Sequence, residues 1–359
     1  VDITIDPNGE TSPVSVIDSV VFESGGNVAR VILEAWGQDI WLPEEVVNGS
    51  VNWVKGKPYV VNKLLFVDTT ATLTLGVGTR VFFHHNALMS IAGKLVIEGT
   101  ANEPVLMAGD RILDEYEDVP GQWKGIVFYS CSRNNMITDA EIRNAVTAIS
   151  IHSGDGFKPD LQIVNTKLMH NSVASLVANG ASVVSVNSVF AHSGFSTVTV
   201  AEGGDYQFIN CTVENRWEYA YRSAPAFYIG KGNGILPEVQ IINSVITGNL
   251  GSELEIDALP AEIAGKVYAD SSVIKIDTLT STWWNRSSFR MVMTTGNPLF
   301  IDEMKFDFRP DTLSPLVDRA GKTEARIWPY DIRHKSRSIG LAPDIGAYER
   351  QPGEKKQQE

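Results

Sequence analysis

A short phrase recurs four times in the middle of this chain: apolar residues, an Asn, a small residue, then apolar positions again. The copies occupy residues 164–168, 186–190, 209–213 and 242–246, and weaker copies begin at Asp139 and Asp270. Successive Asn residues of the phrase are 22, 23 and 33 positions apart. Self-similarity at such a period indicates a solenoid, in which each repeat stacks on its neighbours.

The residue types select a β solenoid among the repeat architectures. Helical repeats need apolar positions at 3.6 spacing, and leucine-rich repeats need a dense leucine frame, whereas this chain alternates Val, Ile, Thr and Ser, as in 182–186 and 197–200. Such runs predict short strands. A strand, a turn at Asn and a second strand describe one coil of a parallel β-helix.

The Asn suits a sharp turn because, after Gly, it tolerates positive φ best. Stacked coils would place these Asn side chains about 4.8 Å apart, close enough for their amides to bond along the stack. Residues 58–280 would supply about eight coils and a rod roughly 40 Å long at that strand spacing.

Four segments are expected along the chain. The strand-rich run around the turn Gly25–Gly26–Asn27 predicts a β-hairpin, and the Pro- and Asp-rich end of the chain predicts an irregular cap. The predicted boundaries are a hairpin or sandwich remnant at 1–45, the parallel β-helix at 46–295, the cap at 296–350 and a disordered tail at 351–359.

Charge and composition exclude several classes. A net charge of −13 argues against nucleic acid as a partner. It also disfavours strongly anionic polysaccharides, unless calcium or a local basic cleft intervenes. No apolar run approaches the ~20 residues of a membrane helix. Cys131 and Cys211 are 80 residues apart, and Cys211 is expected to be a small buried hydrophobe rather than half of a disulfide.

Residues that carry chemistry are sparse. The acidic stretch 110–118 is interpreted as a solvated loop, because it lacks the ligand spacing of a calcium site. His170 and His192 follow their Asn phrases at equivalent positions and are expected on neighbouring coils, but a metal site would need a third ligand that the sequence does not identify. We therefore predict no catalytic residue, no metal site and no cofactor.

The long coil that stretches one spacing to 33 residues is the best candidate for a binding site. Trp217, Tyr219 and Tyr221 alternate, which would place them on one side of an extended segment, and Arg216 and Arg222 flank them. Aromatic rings beside Arg stack on sugars or anchor protein partners. The alternative is a lid whose aromatic side chains pack against the solenoid.

Three further segments carry a resemblance to a known group. They are Asp6-Pro7-Asn8-Gly9 with 18–22 and 35–39, then 109–111 with 120–126, and then 314–318 through 343–349. Together they resemble the right-handed parallel β-helix surface proteins, usually lipoproteins, of Bacteroides-type bacteria. The tail departs modestly, with Asp318-Arg319-Ala320-Gly321 where that group usually has Asp-Ala-Gly.

The resemblance implies a right-handed helix, the end of an immunoglobulin-like domain before it, and a place at the cell surface. It also implies attachment to the outer membrane through a lipid anchor outside this chain. The group has no established catalytic residues, so none is transferred to this sequence.

The sequence thus favours a non-catalytic, surface-exposed protein that binds glycan or an envelope protein partner. One alternative is a polysaccharide lyase or glycoside hydrolase of the β-helix class. Another is a structural accessory subunit of an outer-membrane assembly. Hydrolysis needs clustered carboxylates, and their absence from alternating strand positions favours binding.

Overall fold

The computed structural model describes residue 9 and residues 13–152, 159–232, 234–284, 286–294 and 297–354. Asp6-Pro7-Asn8 of the first resembling segment and residues 355–359 of the predicted tail lie outside the described part. No helix in the described part is long and apolar enough to cross a membrane.

Nearly all regular structure is β. In chain order the strands are β1 (Val14–Ser24), β2 (Asn27–Gly37), β3 (Val46–Val47), β4 (Ser50–Trp53), β5 (Tyr59–Val61), β6 (Leu64–Val67), β7 (Thr72–Leu75), β8 (Arg80–Phe83), β9 (Leu88–Ile91), β10 (Lys94–Glu98), β11 (Val105–Gly109), β12 (Gly125–Phe128), β13 (Asn135–Thr138), β14 (Ala140–Arg143), β15 (Thr147–His152), β16 (Leu161–Val164), β17 (Lys167–Asn171), β18 (Ala174–Asn179), β19 (Ser182–Val186), β20 (Val189–Ser193), β21 (Val198–Ala201), β22 (Asp205–Ile209), β23 (Thr212–Asn215), β24 (Phe227–Gly230), β25 (Glu238–Ile242), β26 (Val245–Gly248), β27 (Leu254–Ile256), β28 (Val267–Asp270), β29 (Val273–Ile274), β30 (Phe289–Arg290), β31 (Phe300–Asp302) and β32 (Asp307–Pro310). The short helices are α1 (Pro260–Ile263) and α2 (Lys322–Ile327), with 3₁₀ turns at Asp114–Tyr116 and Glu303–Lys305.

The strands stack into three parallel sheets, which confirms the predicted parallel β-helix of about eight coils. Sheet I contains every third strand from β4 to β28 and ends on β30, sheet II contains every third strand from β5 to β29, and sheet III contains every third strand from β3 to β27. Each coil gives one strand to each sheet. Equivalent residues are in register from coil to coil, as in Ile163, Ser185, Phe208 and Ile241 of sheet I.

The core lies between the three sheets. Alternate strand residues point inward and are fully buried, including Leu73, Ile137 and Leu176, and the rings of Phe83 and Trp123 stack 3.9 Å apart. Cys211 belongs to this core, and both cysteines are free, as expected. The alternation of β-branched and polar residues in the sequence thus corresponds to the inside and outside of the coils.

The Asn phrase forms the turn between sheets I and II, and its residues adopt the predicted left-handed conformation. The six equivalent positions have φ between 47° and 52°, in Asp139, Asn165, Asn187, Asn210, Asn243 and Ser271. One hydrogen bond between side-chain amides runs along the stack, from Asn187 Nδ2 to Asn165 Oδ1 at 3.2 Å.

The small residue after the Asn makes more of the contacts along the stack than the Asn does. The hydroxyls of Ser188, Ser244 and Ser272 each accept a hydrogen bond from the backbone N–H one coil earlier, at 3.2, 3.0 and 3.1 Å. Each also donates to the carbonyl two residues before it. The expected bonding between Asn amides is therefore found at one step of the stack, and serine hydroxyls bond neighbouring coils at three steps.

Residues 297–354, called the strap below, run along the side of the helix. Buried strap residues such as Phe308 and Ile345 pack on Met169, Val189 and Val245 of the outer face of sheet II. The left-handed turn residues anchor it: Asn243 exchanges two hydrogen bonds with Gly321, at 2.7 and 3.1 Å. The segment is irregular, as predicted, and it covers a flank of the solenoid.

The two ends of the solenoid differ. At the C-terminal end Trp283 is fully buried and packs with Phe289 at 5.7 Å between ring centroids, which agrees with a capping role for this Trp. At the N-terminal end β1 and β2 form the predicted antiparallel hairpin as a separate two-stranded sheet.

Candidate functional site

The long coil forms an irregular loop rather than a strand, and its aromatic residues differ in exposure. Between β23 and β24 the chain is irregular, with Trp217 buried and Tyr219 and Tyr221 respectively 57% and 91% exposed. The rings of Trp217 and Tyr219 contact each other at 5.0 Å. The coil therefore presents two tyrosines to solvent and uses the tryptophan as an anchor.

The two arginines of this coil are engaged within the protein. Arg222 is buried and donates to Glu253 Oε1 at 2.6 Å, to Asn215 O at 2.7 Å and to Ala224 O at 2.5 Å. These bonds close the irregular loop on itself, since Glu253 also accepts from the backbone N–H of Ala226, just before β24. Arg216 pairs with Glu303 of the strap at 2.5 Å.

His170 and His192 lie on neighbouring coils, as their equivalent positions predicted. Both have positive φ, both are buried, and their Nδ1 atoms are 2.8 Å apart. Burial lowers the pKa of His170 to about 3, with help from His192 and Arg143, and burial lowers the pKa of His192 to about 4. The two rings are therefore neutral near pH 7, with one donating to the other.

The acidic stretch 110–118 and the long coil meet at this histidine pair. Asp118 of the acidic stretch lies 3.1 Å from His170 Nε2, and Trp217 packs on His192 at 5.0 Å. Phe306 of the strap contacts both imidazoles, at 4.5 and 5.0 Å. The cluster joins the acidic stretch, the long coil and the strap to sheet II.

The contacts of this cluster hold neighbouring segments together. Within the described residues no three His, Cys, Asp or Glu side chains lie close enough together to hold a metal ion. The acidic stretch is also tied down, since Glu117 pairs with Arg143 at 2.5 Å and its carbonyl accepts from Asn144. A cavity of 220 Å³ remains beneath it.

A larger groove of 510 Å³ opens between sheet II and the strap and is called the strap groove below. Its floor includes Glu141 and Lys167, one wall is the turn at 100–104, and the other wall belongs to the strap. The residues that line it are Thr100, Ala101, Asn102, Pro104, Asp139, Ala140, Glu141, Asn165, Lys167, Lys305, Phe306, Asp307, Arg309, Ile332, Arg333, Lys335 and Tyr348. Phe306 thus connects the groove to the histidine pair.

Each carboxylate that lines the groove has a basic neighbour. Asp139 lies 2.7 Å from His334 Nε2, Asp307 pairs with Arg309 at 2.5 Å, and Glu141 lies 3.4 Å from Arg143. Hydrolysis of a glycoside needs one carboxyl group held protonated opposite a second, ionised one. In this groove each carboxylate lies beside a basic side chain instead.

Sequence reasoning did not find the strap groove. Its lining comes from six separate stretches of chain, and no local motif links Lys167 to Lys335. One sequence feature that could have indicated it is the length of the predicted cap, 296–350, which exceeds what covering one coil requires.

The stacked sheets and lateral strap define the molecule as a parallel β-solenoid with a groove along one flank. No protein-family model, curated protein or solved structure matches the chain.

Proposed function

We propose that this β-solenoid is a non-catalytic carbohydrate-binding protein that holds a short stretch of glycan in the strap groove. The observation that carries the proposal is the groove itself, a cleft of 510 Å³ rich in side chains that donate and accept hydrogen bonds. This volume lies within the usual range of small-ligand sites, about 300–1,000 Å³.

The exposed tyrosines of the long coil extend the proposed site. Tyr219 lies 5.7 Å from the ring of His192, which in turn contacts Phe306 at the edge of the groove. A glycan that leaves the groove past Phe306 would meet Tyr219 and Tyr221, whose faces suit sugar stacking. Of the five residues first predicted for binding, these two keep a direct role, while Arg216 positions the coil and Trp217 and Arg222 hold it.

A blocked groove tests the proposal. Ala101 is exposed and lines the groove, so Ala101→Trp should fill it without touching the core. We expect loss of retention on a glycan array, with the control Ala261→Trp on exposed α1 retaining every glycan that the parent chain binds. Equal retention by both variants, or retention of envelope proteins in place of glycans, would contradict the proposal.

We further propose that the protein is displayed at the bacterial cell surface as an outer-membrane lipoprotein. The support is the resemblance to β-helix surface proteins of Bacteroides-type bacteria, in which an immunoglobulin-like domain precedes the helix. An antibody raised against the solenoid should label intact cells of the source organism. Labelling that requires permeabilised cells would contradict this placement.

A further inference from the structure

The strap groove differs in charge from the rest of the chain, and this difference bears on which sugars it takes. The whole protein carries a net charge of −13. The groove is lined by five basic residues, Lys167, Lys305, Arg309, Arg333 and Lys335, against three acidic ones, Asp139, Glu141 and Asp307. It is a local basic cleft on an acidic molecule.

The arginines of the groove are explained by the packing of the strap. Arg309 and Arg333 share Glu354, at 3.0 and 2.6 Å, and each also pairs with an aspartate two residues before it. Their charges are thereby balanced within the strap.

Ion pairs within the strap do not explain the lysines in the same way. Within the described part of the chain, neither Lys167 nor Lys335 pairs with a carboxylate, and Lys305 is 79% exposed and only 3.6 Å from Asp302. Lys167 lies opposite Glu141 in the neighbouring strand, but that carboxylate lies within ion-pair distance of Arg143. Lys167 and Lys335 therefore bring to the cleft ammonium groups without a carboxylate partner among the described residues, and Lys305 adds a third that is exposed and paired only with Asp302.

Lysine also suits this task better than arginine would. Its ammonium is a point charge on a flexible stem, so it can follow anionic groups whose spacing varies along a polymer. Confined between low-dielectric walls, the positive field of such a cleft is focused on the ligand.

We propose that the strap groove selects acidic oligosaccharides, whose sugar units carry carboxylate or sulfate groups contacted by Lys167, Lys305 and Lys335. This inference rests on the proposed glycan-binding function and names its ligand class. Binding is electrostatic in large part and weakens as ionic strength rises, because the lysines are partly exposed to solvent.

The test compares matched ligands on the full chain by calorimetric titration. The probes are oligogalacturonate, its fully methyl-esterified form, a sulfated carrageenan oligosaccharide and polyglutamate. We expect oligogalacturonate or the sulfated oligosaccharide to bind at least tenfold more tightly than the methyl ester. A tenfold difference in affinity is about what one partly buried ion pair contributes. The tighter of the two identifies the anionic group.

A variant separates the lysines from the fold. Lys167→Gln with Lys335→Gln should weaken binding of the acidic sugar about tenfold and leave thermal melting unchanged. The control, Lys63→Gln with Lys94→Gln, changes the net charge equally outside the groove and should leave the affinity intact.

The outcomes distinguish the two proposals. Equal affinity for the methyl ester, oligogalacturonate and the sulfated oligosaccharide would overturn the selectivity and leave glycan binding standing. Polyglutamate binding as tightly as the acidic sugars would overturn the inference that a saccharide is selected. Absence of binding to every sugar on the array and in titration would overturn both proposals.

Discussion

At the scale of single residues, the left-handed turn positions have two tasks. Their positive φ turns the chain from sheet I to sheet II in each coil, and their side chains hold the strap. Asn187 does both, donating to Tyr330 O at 2.9 Å and accepting from Arg337 at 3.0 Å. Asn210, one coil further, is fully buried and neither side-chain polar atom has a partner in the described structure.

This difference predicts unequal effects of the same substitution. Gly preserves the left-handed turn at either position at a similar entropic cost. Asn187→Gly should lower the free energy of unfolding by about 1–3 kcal/mol more than Asn210→Gly, because only Asn187 loses hydrogen bonds that leave buried partners unsatisfied. Urea unfolding midpoints measure this, and equal losses would show that the side chains do not hold the strap.

The buried histidine pair predicts a dependence of stability on pH. In the folded state the pKa values of His170 and His192 are lowered to about 3 and about 4, below the ordinary value of about 6.5. The unfolded chain therefore takes up protons first as the pH falls. The contribution of the pair is fully present above pH 6.5 and is lost progressively as the pH falls towards 4 and 3.

Other buried groups act in the opposite direction. Burial raises the pKa of Glu214 and of Glu349 to about 8, so their contribution diminishes as the pH rises from about 4.5 to 8. The informative quantity is thus the difference in the free energy of unfolding between the parent chain and the variant His170→Gln with His192→Gln. That difference should change by up to about 1.4 kcal/mol per pH unit and per histidine between pH 6.5 and 4. A difference independent of pH would contradict neutral buried rings.

At the scale of elements, Arg337 is a buried cation that helps to fix the strap. Arg337 is 1% exposed and donates to Asn187 Oδ1, Gly346 O and Ala347 O, at 3.0, 2.9 and 3.3 Å. Its guanidinium also lies 3.7 Å from Glu349. One side chain therefore joins the stretch 346–349 of the strap to the turn stack.

Substitution of this arginine should loosen the strap and leave the coils intact. Lys cannot reproduce the planar fork of donors, and breaking a buried charged network costs about 3–5 kcal/mol. We expect Arg337→Lys to accelerate amide exchange across residues 314–350 without changing exchange in β15 and β18. The exposed Arg319→Lys serves as the control, and uniform acceleration throughout the molecule would contradict a separable strap.

Much of the element scale was predictable and its exceptions have physical causes. Period, β-branched alternation and Asn turns depend on local geometry, so the sequence predicted the stacked coils and the hairpin. The position of the strap depends on contacts such as Arg337 with Asn187, 150 residues apart, which no local pattern encodes. The burial of Trp217 and Arg222 follows from contacts with His192 and Glu253, which also lie outside the local sequence.

At the scale of the whole molecule, charge is unevenly distributed. The net charge of −13 disfavours anionic polysaccharides unless a basic cleft is present, and the fold brings Lys167, Lys305 and Lys335 together in one groove. These lysines belong to three segments brought together only because the strap folds back over sheet II. Net charge alone therefore does not describe the charge of the groove lining.

The central claim is that ligand occupies the strap groove, and lysine footprinting tests it most directly. The full chain is acetylated with and without saturating oligogalacturonate, and each lysine is quantified by mass spectrometry. We predict a several-fold fall in the reactivity of Lys167, Lys305 and Lys335, because a bound anion lowers ammonium reactivity and access, with Lys63 and Lys94 unchanged. Protection at lysines outside the groove, with these three still reactive, would contradict the account.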